Sequence, residues 1–159
     1  MKTTKIFGAI GMLIAALFTL PASAPAAPSK NSEAQQLWES IRNDANQAVT
    51  EIDLLASYGH QTISWETQAN QLNEIRDTLN GMGAKIARLE ELRSETGPMQ
   101  PQVEKAAALL KEMAESATST ISFLNSHQQT LWAPEYTRRT EDLSNLANEL
   151  AHAMNHSAD

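Results

Sequence analysis

Four histidines, at positions 60, 127, 152 and 156, are the side chains of this sequence best suited to chemistry near neutral pH. Imidazole both moves protons there and ligates metal ions. The tightest grouping is near the C-terminus. Glu149-Leu-Ala-His152 has the Glu-x-x-His spacing that di-iron helical proteins use. His152 and His156 stand four residues apart, which places two imidazoles on one face of a helix. Glu149, His152 and His156 are therefore the candidate metal ligands. A di-iron centre also needs a second Glu-x-x-His and two more inward glutamates. No other glutamate precedes a histidine by three residues. All three side chains fall off the apolar stripe Leu143–Ala147–Leu150–Met154, so they are expected to face water.

The second grouping depends on topology. His127 continues an apolar stripe after Leu124 and is expected to point between helices. His60, Trp65, Trp132 and Tyr136, with Tyr58 and Phe123, are expected at the same end of the fold. Together they suggest an aromatic pocket for a small apolar or cationic ligand, or a two-histidine metal site. Arg138 and Arg139 lie within a turn or two and suit an anionic group. The bland alternative is an apolar lid in which a link carbonyl satisfies His127.

Catalytic machinery is not legible. The chain has no cysteine, which excludes disulfides, thiol nucleophiles, thiolate metal sites and covalent haem attachment. It has no nucleophile elbow and no phosphate-binding glycine loop; Gly81-Met-Gly83 has no strand before it. Met82 and Met113 sit mid-helix with no histidine at their level and read as flexible core filling. The expectation is a protein that is not an enzyme and carries no cofactor.

These residues are positioned by four amphipathic segments, expected at about 32–58, 63–94, 100–127 and 133–156. In the first, Ala34, Trp38, Ile41, Ala45, Ala48, Ile52 and Leu55 alternate steps of four and three, the 3.5-residue period of a packed seam. Ser32 with Gln35 reads as a capping box, and Gly59 as a C-terminal stop. The second begins near Thr62 or Ser64 and runs Trp65, Ala69, Leu72, Ile75, Leu79, Met82, Ile86, Leu89. Gly81 and Gly83 weaken it, at about 1 kcal/mol each relative to Ala. The stripe crosses them in register, so an unbroken helix is expected. Gly97, Pro98 and Pro101 mark a stop and restart. The third stripe is Met99, Val103, Ala106, Leu110, Met113, Ala117, Ile121, Leu124. The fourth is Tyr136, Thr140, Leu143, Ala147, Leu150, Met154. Helices of this length with short links predict an all-α, antiparallel up-down-up-down four-helix bundle. An intermolecular coiled coil of open hairpins is the architectural alternative.

A leader precedes the bundle. Lys2 and Lys5, the apolar run Ile6–Leu20 and the small-residue tract Pro21–Ala27 have the layout of a secretory signal. The run is short of the roughly 20 residues of a membrane span. Ala24 and Ala26 predict a cut after Ala26, giving a signal at 1–26 and a single domain at 27–159. The cut removes two of 12 basic residues and none of 19 acidic ones. So acidic a chain is unsuited to nucleic acid or anionic lipid. The expected location is the periplasm or the outside of the cell. The expected role is that of an interaction, adaptor or sensor module, with another protein or a second copy as partner. The alternative is a metal- or small-ligand-binding bundle using the histidines and the aromatic end.

Overall fold

The structure, a computed structural model, describes residues 30–58, 63–128 and 134–156. The expected leader and its cut, the Gly59 stop, a start at Thr62 and the last three residues all lie outside this set.

The described residues are helical with no strand among them. Four long helices, α1 (Lys30–Tyr58), α2 (Trp65–Glu91), α4 (Gln100–Ser126) and α5 (Pro134–Asn155), are joined at one point by the single turn α3 (Arg93–Thr96) and a 3-10 turn (Gly97–Met99). Each long helix packs on two others, α1 on α2 and α5, and α4 on α2 and α5. Cross-helix bonds give the directions. Glu33 meets Arg88, Asp44 meets Lys85 and Glu51 meets Thr78, so α1 and α2 are antiparallel. Asp53 meets Ser144 and Asn46 meets Asn155, so α1 and α5 are too. Gly83 faces Leu110, Arg93 bonds Glu104, and Ser119 bonds Arg139, which sets α4 against both of its neighbours. The α1–α2 and α4–α5 links thus share one end, called here the upper end. The α3 turn and the end of α5 lie at the lower end.

The apolar period explains this packing. All seven seam residues of α1 are buried, as are Leu72, Ile75, Leu79, Met82, Ile86 and Leu89 of α2 and all six of the α5 stripe. They form one continuous core with Val103, Ala106, Leu110, Met113, Ala117 and Leu124 of α4. Burial of a Leu or Ile side chain contributes about 1.5–3 kcal/mol, against under about 1 kcal/mol for an exposed ion pair. The apolar seam therefore fixes the helix register, and the surface pairs follow it.

Local departures from the predicted pattern have local causes. Helix α1 starts at Lys30, two residues before the predicted cap, and Glu33 in its first turn is held by Arg88 of α2 at 2.8 Å. Ser64 is the N-cap of α2, its hydroxyl accepting from the Thr67 N–H. Helix α2 runs through Gly81 and Gly83 and ends at Glu91. The expected extension to 94 is interrupted because Leu92 turns out of helical geometry, its N–H shared between the Arg88 and Leu89 carbonyls. Leu92 and Thr96 are both buried and close the lower end. Gly97 follows with φ +30°, a conformation that an L side chain strains. In α4 the buried residue is Thr120, while Ile121 of the expected stripe is half-buried; the Thr120 hydroxyl donates to the Ser116 carbonyl at 2.8 Å, which lets it sit inside.

A Cβ at Gly81 meets nothing within 4 Å, and one at Gly83 meets only Leu110 Cδ2 at an ordinary 3.8 Å. Gly81→Ala and Gly83→Ala should therefore each stabilise the protein by up to about 1 kcal/mol, measured by urea unfolding. Gly97→Ala should destabilise it. A loss of stability in Gly83→Ala would show that α2 and α4 approach more closely than this packing has them.

Candidate functional site

The upper end carries the densest arrangement of aromatic and charged groups. Phe123 of α4 is its centre. The His127 ring stacks on it at 4.1 Å between centroids and 8° between planes, and Tyr136 of α5 lies 6.3 Å away at 19°. The Arg139 guanidinium sits 5.1 Å from the Phe123 centroid, within cation–π range. Arg139 also donates to the Ser119 hydroxyl at 2.6 Å and pairs with Glu135 at 2.9 Å. Arg138 pairs with the same carboxylate at 2.7 Å. The two guanidiniums, Arg138 foremost through its hydrogen bond, hold the Glu135 carboxyl below its ordinary range. Both arginines expected to meet an external anion thus share the Glu135 carboxylate, which offsets one of their two positive charges.

His127 corrects the sequence expectation. The stripe extrapolates to it only if the helix continues, but α4 ends at Ser126. His127 is the C-cap, with φ −130° and ψ 33°. Its side chain is exposed and folds back along the helix, with Nδ1 3.0 Å from the Phe123 carbonyl oxygen. It borders the core but does not enter it. His60 and Trp132 lie outside the described residues. Tyr58, Trp65 and Phe123 are half-buried against the core, and Tyr136 is fully buried.

Buried polar atoms collect at the same end. The Tyr136 hydroxyl, the Gln68 side-chain carbonyl oxygen and the Arg139 Nε are buried and have no hydrogen-bond partner among the described residues. Gln68 is held by its amide nitrogen, which donates to the Ile63 carbonyl at 3.2 Å. The alternating steps of three and four from Trp65 to Leu72 pass through Gln68, which its polarity hides, whereas Gln71 stands beside the stripe at Leu72. Burial pushes the Tyr136 phenol up, well above its ordinary value of 10.0.

The lower-end group is arranged differently. Glu149, His152 and His156 are all exposed on α5. The two imidazoles stack at 3.9 Å between centroids and 13° between planes. Among the described residues no cluster of three or more His, Asp or Glu side chains is placed to hold a metal ion. Sequence reasoning overlooked a cleft nearby. Trp38, Arg42, Met99 and Met154 line a lower-end cavity of about 380 Å³, with Arg42 paired to Glu39. Only the fold brings the Met99 turn against α1 and α5, so spacing could not reveal it. A further groove of about 340 Å³ follows the α2–α4 seam, where Gly83, Ala87, Ala107 and Ala114 leave Leu79 and Leu110 at its floor. No described helix is long and apolar enough to cross a membrane.

The chain matches no family model. No curated protein or solved structure is significantly similar to it either.

Tyr136 supplies the prediction from this site. A folded-state pKa raised above the unfolded value contributes stability that is whole below pH 10 and is lost as pH rises beyond it. Wild-type protein should lose up to about 1.4 kcal/mol of stability per pH unit above that point from this one group. In Tyr136→Phe that increment should vanish, leaving a flatter alkaline limb in unfolding titrations. Identical limbs would show the phenol to be hydrated in the native state.

Proposed function

We propose that this chain is an exported, non-enzymatic protein, an antiparallel up-down-up-down four-helix bundle at 27–159 behind a cleaved signal at 1–26. It acts as an interaction, adaptor or sensor module in the periplasm or outside the cell. One observation carries the reading. Among the described residues no Asp, Glu, His, Lys or Arg is fully buried, and only the Nε of half-buried Arg139 reaches the interior; the buried polar side chains are Gln68, Gln71, Thr96, Thr120 and Thr140, with the Tyr136 phenol. Acid–base and nucleophilic catalysis need such groups held out of water near a bound substrate. Here the carboxylates, imidazoles and basic side chains are exposed or half-buried, and many are engaged with one another in pairs such as Arg88–Glu33, Arg93–Glu104 and Arg139–Glu135. What remains for function is surface shape and charge, which is the chemistry of partner binding. The partner is another protein or a second copy.

A second reading, a ligand-binding bundle, is favoured by the buried Tyr136 hydroxyl and Gln68 oxygen beside the aromatic end, which have no partner among the described residues. Native mass spectrometry of untagged protein from its own host separates the two. The proposal predicts the mass of residues 27–159, in a stoichiometric protein complex and without a bound organic molecule. A retained organic mass lost in Tyr136→Leu would replace it with the second reading. A chain that keeps residues 1–26 would overturn the export assignment.

A further inference from the structure

We propose that His152 and His156 form a two-imidazole site at the C-terminal end of α5 for a divalent transition-metal ion, Cu²⁺ in preference to Zn²⁺ or Ni²⁺. The inference rests on the arrangement of the rings and does not depend on the interaction reading.

His152 lies on the exposed face of α5 with Asn145 and Glu149, His156 directly follows the helix's last residue, and both histidines are exposed. Neither contributes to the core, so nothing in the packing requires either to be histidine. Their rings are nevertheless ordered against each other, 3.9 Å apart and nearly parallel. His156 Nδ1 lies 3.1 Å from the His152 carbonyl oxygen. A carbonyl only accepts, so in that bond Nδ1 carries the hydrogen. The neutral ring then has its lone pair on Nε2, directed away from the backbone. This is the orientation in which metal-bound histidines are held, one ring nitrogen donating to a carbonyl while the other binds the ion.

The distances suit chelation. Metal–imidazole bonds of about 2.0–2.1 Å place two neighbouring nitrogens about 3 Å apart. The ring centroids are 3.9 Å apart in a nearly parallel stack, so chelation requires the two rings to turn until a nitrogen of each points at one ion. The protein supplies the two imidazoles, and water completes the shell. Imidazole donors favour copper, nickel and zinc over magnesium and calcium, and at an unconstrained surface site copper binds most tightly. The position favours a cation as well. The C-terminal end of a helix carries partial negative charge from its unpaired carbonyls. An ion bridging residues four apart there would also pin the final turn.

The test uses the full chain without an affinity tag, titrated with Cu²⁺ and then Zn²⁺ by calorimetry, with electron paramagnetic resonance of the copper form. Wild type should bind one Cu²⁺ with two imidazole nitrogens in its spectrum, more tightly than Zn²⁺, and unfold at a higher temperature with metal than without. His152→Ala and His156→Ala should each weaken binding about 10–100-fold while keeping the metal-free unfolding temperature. His127→Ala should bind as wild type does. Equal Cu²⁺ affinity in the His152→Ala/His156→Ala double variant would overturn the proposal. So would a wild-type spectrum without imidazole nitrogens, or an absence of binding.

Discussion

The structure depends on the removal of four apolar seams from water at a single shared core. Each seam is too broad to be covered by one neighbour. The core face of α1 is covered by α2 and α5 together, and that of α4 by the same two helices from the other side. Side chains from all four helices, such as Ile52, Met82, Met113 and Leu143, have no solvent exposure. With no cysteine in the chain, no covalent link assists. The fold is held by packing, and every polar feature is placed wherever that packing leaves room.

This constraint explains the division between interior and surface. A buried unpaired charge costs several kcal/mol, more than any exposed ion pair of this protein returns. The seams accordingly admit hydroxyls that bond their own helix, as Thr120 does to Ser116 and Thr140 to Thr137. They admit glutamine amides only near the upper end. The lower end is closed differently. There Leu92 and Thr96 are buried in a single helical turn, and Thr96 bonds both the Arg93 carbonyl and Gln100.

Much of this was legible in the chain. The steps of three and four from Ala34 to Leu55 name the buried face of α1, and the stripe from Tyr136 to Met154 names that of α5. The exposure of Glu149, His152 and His156 follows from the same count. Periodicity fails where helices end, because it cannot register a change of backbone geometry. His127 was expected inside and leaves the helix as its cap. Gln68 was passed over because its polarity outweighed its position. The Trp38–Met99–Met154 cleft was invisible because its walls are brought together only by tertiary packing. The stacking of His152 on His156 is a rotamer fact that spacing permits and does not dictate.

Native-state hydrogen exchange of the full chain tests the shared core most directly. If the four seams form one interior, the amides around Ile52, Met82, Met113 and Leu143 exchange slowest and share one opening free energy, equal to that of global unfolding. Helices that open independently, each with its own lower free energy, would contradict a common core.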